Sequence, residues 1–269
     1  ESILERRIIW KQTILSGNFQ NGIKKLLDEN IINPSDASRK VEGLIFEAST
    51  DPAITGLTVD AQFTGDNLYD AIKKLCDSKN IGFRIKLSDD NKFVFKLYAG
   101  TDRSYDQFTN PYVIFSPKFE NVINTNYLES KKTLKTVTLV AGEGEGADRR
   151  TTTVACSSGA GTGLKRRELY TDARDVSSTV DNETLTDAEY KAQLSQRGLE
   201  NLAENVLTKS FEGKVETTRM YRYGEDFFLG DMVQIVNEYG IEGKARVTEF
   251  IRSQSKEGLD SYPTFVTVE

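Results

Sequence analysis

Residues 135–155, KTVTLVAGEGEGADRRTTTVA, set the strongest constraint on what this chain can fold into. Val137, Thr138, Leu139, Val140 and Ala141 read as a strand, and residues 142–147, GEGEGA, fit the spacing G-x-G-x-x-A. A dinucleotide-binding turn of that spacing needs a helix next, because free N–H groups at the helix N-terminus hold the pyrophosphate. The next residues are instead Asp148-Arg149-Arg150, then three threonines and a valine. β-Branched residues favour a strand. Glu143 and Glu145 would also set two negative charges where a phosphate must sit. The stretch therefore predicts two antiparallel strands joined by a glycine-rich acidic loop, and a helix after Gly146 would overturn that reading.

The function classes narrow further by what the chain lacks. It has 269 residues and no histidine. That removes Ser-His-Asp and Cys-His nucleophilic catalysis, and His-containing zinc sites. With 41 acidic residues, no single carboxylate pair stands out. Residues 88–91, SDDN, lack the spacing of a calcium loop and read as a hairpin turn. Residues 157–163, SSGAGTG, lack the lysine-serine ending of a phosphate-binding loop and read as a flexible turn. No catalytic, cofactor-binding or metal-binding residue is assigned. Cys76 falls on the core side of an expected helix and Cys156 ends a strand. Two separate buried thiols, or one disulfide, fit that placement. The net charge of −6 opposes specific nucleic-acid binding, which needs clustered Lys and Arg. The short run Lys165-Arg166-Arg167 is followed by Glu168 and reads as a solvated strand face. No apolar run reaches the roughly 18 residues of a membrane span, so no membrane insertion is expected.

Along the chain, residues 2–10, SILERRIIW, are apolar-rich and are expected to dock on a segment upstream of Glu1. The chain opens without methionine and reads as a piece of a longer or processed protein. Phe19, Ile23, Leu26, Leu27 and Ile31 recur at helical spacing and predict a helix over about 18–31, ended by Asn33-Pro34. Strands are expected at 41–46 and 57–63. A helix then starts with Asp66 or Thr64 as its cap and with Leu68, Ala71, Ile72, Leu75 and Cys76 as its apolar stripe. Residues 81–87 and 92–98 form a hairpin, 99–110 a polar loop or linker, 112–115 a short strand and 164–170 another. Thr186 and Glu189 make a capping box that opens the longest helix, 187–208, with Tyr190, Leu194, Leu199, Leu202, Ala203 and Val206 on its apolar face. Further strands are expected at 215–221, 232–236, 245–252 and 262–268, with turns at Tyr239-Gly240 and Glu257-Gly258.

Several stretches in one order carry a family resemblance. They are residues 3–10 (ILERRIIW), 22–27 (GIKKLL), 64–70 (TGDNLYD), 81–83 (IGF), 140–146 (VAGEGEG) with Arg149-Arg150, 172–175 (DARD) and 229–233 (LGDMV). With these the chain resembles the siphophage tail-hub family of phages and prophages of Gram-positive bacteria. That family is similar to the N-terminal hub region of tail-associated lysins and to the contractile-phage baseplate hub. The resemblance implies an α+β, antiparallel β-rich hub. Residues 1–15 would end an upstream β segment. The residues themselves predict, over 16–110, a small α+β domain of two helices on a short antiparallel sheet. Residues 111–269 would form a β-barrel-like antiparallel domain with helix 187–208 inserted.

It further implies a structural virion protein of the phage tail, made in the bacterial cytoplasm, without enzymatic activity or cofactor. Such a protein forms a homotrimeric ring under the tail tube, contacts the distal tail ring and tape measure, and anchors receptor-binding or lysin modules downstream. Three copies would carry about −18, which repels DNA phosphate in a channel. Arg149 and Arg150 are candidates to pair with Glu143 or Glu145 across a subunit interface, against a plain solvated strand end. Asp231 either contacts a partner ring or caps a turn that Gly230 permits; turn chemistry is the stronger reading. The alternatives are a carboxylate-based cell-wall glycosidase, which needs two carboxyl groups about 5 to 9 Å apart in a cleft, and a carbohydrate- or receptor-binding module of the tail tip.

Overall fold

The computed structural model describes residues 2–180, 183–215, 220–240, 242–256 and 258–268. A helical turn α1 (Ser2–Glu5) leads to β1 (Thr13–Asn18), α2 (Phe19–Leu27), β2 (Leu44–Glu47), α3 (Pro52–Thr55), β3 (Thr58–Phe63), α4 (Leu68–Ser78), β4 (Gly82–Leu87) and β5 (Phe93–Tyr98). Next come β6 (Ile114–Phe115), β7 (Val122–Ser130), β8 (Val137–Ala141), β9 (Thr151–Ala155), β10 (Glu168–Asp172), β11 (Thr179–Val180) and β12 (Glu183–Thr184). Helix α5 (Asp187–Glu204) precedes β13 (Thr208–Val215), β14 (Met232–Val236), β15 (Glu242–Ser255) and β16 (Gly258–Val268). The fold is α+β and strand-rich. Residues 1–98 and 134–206 make one compact unit, and 99–133 and 207–269 the other. These units are drawn differently from the contiguous segments expected at 1–15, 16–110 and 111–269. The expected inserted helix, α5, belongs with the first unit because its contacts are to β3, α4, β8 and β9.

In the first unit, α2 buries Phe19, Ile23, Leu26 and Leu27, and a wider helical turn over Asp28–Ile32 continues it and buries Ile31. Helix α4 starts at Asn67, whose side chain accepts from the N–H groups of Tyr69 and Asp70. That corrects the expected cap at Asp66 or Thr64: the Asp66 carboxylate instead takes the Thr64 N–H and closes the turn before the helix. The expected stripe of α4 is buried throughout. The expected single antiparallel sheet is two sheets. β1 pairs antiparallel with β3, while β2 runs parallel to β5, which pairs antiparallel with β4. The opening segment docks on this chain itself. Leu4 and Ile9 are fully buried, Ile9 N–H donates to Asp66 O at 2.8 Å, and Gly65 N–H donates to Ile9 O at 2.9 Å.

Strands β8 and β9 pair antiparallel from Val137↔Ala155 to Ala141↔Thr151, as the β-branched run predicts. A three-residue turn of 3-10 helix, Gly146–Asp148, sits in the loop between them, and no α-helix follows Gly146. β10 joins parallel to β8, a pairing that local sequence does not encode. Helix α5 opens with both hydrogen bonds of the Thr186–Glu189 capping box. It lies close on β8 and β9 because residue 198 is glycine: a Cβ there would meet Val140 Cγ2 at 2.8 Å and Val154 Cγ2 at 2.9 Å. Tyr190 and Leu194 pack with Val140, Ala173 and Val176. Each such large side chain contributes about 1.5–3 kcal/mol by burial. The helix ends at Glu204 rather than 208, and Val206, expected on its apolar face, is exposed. Both cysteines are free; Cys76 is buried, while Cys156 is half-buried just past β9.

Among the described residues the second unit is one six-stranded sheet in the order β6-β14-β15-β16-β13-β7. Neighbours are antiparallel except β6, which runs parallel to β14. It is an open sheet, not the expected barrel. Its core is aromatic and aliphatic: Val113, Phe115, Val122, Phe227, Val233, Ile235, Val247 and Phe265. Tyr223 stacks on Phe250 with ring centroids 4.0 Å apart. Register shifts at Glu212/Lys214 and Val247/Glu249 mark bulges, which bend and twist a strand locally. The strand expected at 215–221 falls partly on residues 216–219, outside the described residues, as does Glu257 of the expected turn.

Candidate interaction sites

The β8–β9 tip is held from within the first unit. Arg149 Nε donates to Gly142 O at 3.0 Å, and its Nη2 to Ala141 O at 3.0 Å and to Asp172 Oδ1 at 2.7 Å. Arg174 grips both oxygens of Asp172. That guanidinium, assisted by Arg149, holds the Asp172 carboxyl at about 2. The Tyr190 hydroxyl donates to Val176 O at 3.0 Å and accepts from Glu143 N–H at 2.8 Å. Burial raises the Tyr190 pKa. Gly142 must be glycine, since a Cβ would lie 2.3 Å from that hydroxyl. Gly144 sits at φ +100°, and a Cβ there would lie 2.7 Å from Asp148 O. The Glu143 carboxylate accepts from the Ser178 hydroxyl at 2.5 Å. Of the four tip residues singled out in the sequence, Glu143 and Arg149 are thus engaged inside the chain. Glu145 is exposed, and so is Arg150, whose guanidinium stands 4.9 Å over the Tyr190 ring.

Asp231 lies in the second unit at 3% exposure. Its carboxylate accepts from Thr101 N–H at 2.8 Å, Phe228 N–H at 3.0 Å and Arg103 Nε at 2.8 Å. Gly230 adopts φ +90°, and a Cβ on Gly100 would fall 1.6 Å from Gly230 O. The turn before β14 and the chain at 100–103 therefore meet backbone to backbone, with one buried carboxylate capping both. Those three donors hold the carboxylate pointing inward.

A third cluster escapes sequence reading. The buried face of α5 includes Gln193, Gln196 and Glu200. Glu200 accepts from Gln196 Nε2 at 3.2 Å and lies 3.6 Å from Arg197 Nε. Arg197 also pairs with Asp175 at 2.9 Å. Burial raises the Glu200 pKa to about 7, with Arg197 pulling the other way. Gln193 Oε1 is buried without a hydrogen-bond partner among the described residues. Polar residues on a helix read as its wet face. The available signal was their spacing of three and four, which puts the three on one side of the helix. Among the described residues no group of three or more His, Cys, Asp or Glu is placed to hold a metal ion. Among them, too, no helix is long and apolar enough to cross a membrane.

Comparison with known proteins adds a family. Residues 1–265 match the family described as Siphovirus ReqiPepy6 Gp37-like protein. No curated protein matches the chain. Among solved structures, it is similar to the 43 kDa tail protein of prophage MuSo2 from Shewanella oneidensis. The two are 12% identical, with 95% of this chain and 67% of that one covered and a TM-score of 0.50. It is also similar to prophage tail protein gp18 from Listeria monocytogenes EGD-e, at 14% identity, 98% and 69% coverage and a TM-score of 0.50. The tail protein from Neisseria meningitidis MC58 aligns at 13% identity, 98% and 71% coverage and a TM-score of 0.49. At such identities the likeness concerns the fold.

Proposed function

From the membership of this chain in the Siphovirus ReqiPepy6 Gp37-like family, we propose that this phage tail protein is the hub of the tail tip. In this reading three copies form a ring at the distal end of the tail tube. The ring meets the distal tail ring and the tape measure, and receptor-binding or lysin modules hang from it. The observation that carries the reading is the family match over residues 1–265, joined to a fold shared with two prophage tail proteins. The chemistry of the chain is consistent with a structural role. Its buried carboxylates serve its own architecture: Asp231 fastens a turn, and Glu200 lies in a helix face among amides and Arg197. A ring of three such acidic chains also presents DNA with like charge. Size-exclusion chromatography with light scattering tests the ring: the expected mass is about 91 kDa, three times the 30.2 kDa chain. A stable dimer would sink it, and clearing of a peptidoglycan zymogram would sink the non-enzymatic part.

A further inference from the structure

The opening segment is fastened to the first unit, yet it turns two apolar side chains outward. Leu68 N–H donates to Arg7 O at 2.9 Å, and the Arg39 guanidinium donates to Ile8 O at 2.6 Å. Trp10 N–H donates to the Asn30 side chain at 3.1 Å. Ile8 stays 42% exposed, and Trp10, the one tryptophan of the chain, 64%. Arg39 stands 5.1 Å over the indole ring. Arg6 and Lys11 flank the pair in sequence and are exposed, and among the described residues neither they nor Arg39 forms an ion pair. A second bare patch lies on the sheet β10-β8-β9 of the same unit. Helix α5 covers the face that carries Val140 and Val154. On the opposite face Tyr170 is in register with Leu139, and the two are 56% and 44% exposed. In the loop at the end of that sheet, Glu145 and Asp148 are exposed and form no ion pair among the described residues. The neighbouring arginines are already engaged: Arg149 and Arg174 hold Asp172, and Arg150 leans over Tyr190 of α5.

We propose that these patches are the two halves of one head-to-tail contact between copies of this chain. Ile8 and Trp10 of one copy seat on Leu139 and Tyr170 of the next, with Arg6 and Lys11 against Glu145 and Asp148. This rests on the ring reading and names the surface that closes the ring. The charges match: the free cations flank one apolar pair, and the free carboxylates stand at the end of the sheet that carries the other. Complementary potentials of this kind fix partner and register. Both patches are exposed on one unit, so neither covers the other within a chain, and the mate of each is on another molecule. A contact between two different patches is heterologous, and such contacts generate rings when the rotation closes. A ring uses one of each patch per copy, and this chain carries one of each; a polyanion would match the first patch alone and meet a net charge of −6 elsewhere. Tryptophan, tyrosine and arginine are the residues that dominate interface cores. The clamped backbone at Ile8 and Trp10 means that docking orders little that is not already ordered.

The test is light scattering on the full chain and its variants. Wild type is expected at about 91 kDa, three chains of 30.2 kDa. Trp10→Ser and Leu139→Ser each break one half of the contact and should weaken assembly about thirtyfold or more, leaving single chains. Mixed in equal amounts they should form a heterodimer of about 60 kDa, because each variant keeps the half that the other lacks. Charge variants provide a second arm that leaves the packing alone. Arg6→Glu with Lys11→Glu, or Glu145→Lys with Asp148→Lys, should weaken assembly about tenfold or more, and all four in one chain should restore it. These four side chains are exposed, so their variants keep the wild-type melting temperature. A wild-type trimer that survives Trp10→Ser and both charge pairs, a mixture without heterodimer, or a fourfold variant without recovery would overturn the contact and leave the ring reading standing. A ring of another size or an open polymer, dispersed by the same variants, would keep the contact and sink the threefold ring. A wild-type monomer or a two-fold dimer would overturn both.

Discussion

Glu200 gives the sharpest handle on how the first unit is held together. It is 2% exposed on the inner face of α5, and burial lifts its pKa from the usual 4.5 to about 7. A carboxyl whose folded pKa is raised stabilises the fold while protonated, below the unfolded value. That contribution is lost as pH rises through the folded value. The window is therefore about pH 4.5 to 7. A shift of roughly 2.5 units at 1.36 kcal/mol each is worth about 3 kcal/mol. Glu200→Gln removes the charge and keeps an oxygen to accept from Gln196, while Arg197 retains Asp175. The variant should gain about 1–3 kcal/mol over wild type at pH 8, the lower figure allowing for the lost attraction of Arg197, and almost nothing at pH 4.5. Urea unfolding followed by helical circular dichroism reads this unit, because the α-helices among the described residues all lie in it. Asp172 titrates far below this window and does not blur the comparison. No gain at pH 8, or an equal gain at both pH values, would refute the reasoning.

Other perturbations separate the two units. Asp231→Ala leaves the half-buried Arg103 guanidinium without its carboxylate and strips an acceptor from two N–H groups. A loss of about 3–5 kcal/mol is expected by thermal or urea unfolding of the second unit, and a loss below about 1 kcal/mol would contradict it. Tyr190→Phe removes the hydroxyl shared by Val176 O and Glu143 N–H. It should cost about 1–3 kcal/mol, with faster amide exchange at Glu143 as the local readout.

The sequence was most legible where one local rule decides. Threonine and valine after the glycine loop allowed only a strand at β9, and Thr186 three residues before Glu189 fixed where α5 begins. The apolar stripe of α4 was visible for the same reason. Elements set by distant partners were not visible. β10 lies parallel to β8 and β2 parallel to β5, and nothing in either strand names its partner. The Asn67 cap depended on which of three polar residues reached the helix, a choice made by the Asp66 turn. Asp231 was readable as turn chemistry beside Gly230, but its grip on Thr101 and Arg103 spans the whole of the intervening chain. Nothing in the sequence marks Glu200 as buried, because a charged residue on a helix is normally solvated.

The role at the tail tip is tested most directly by gold-labelled antibody against this chain on intact virions. The account predicts label confined to the distal end of the tail. Label on the capsid, or spread along the tube, would contradict it.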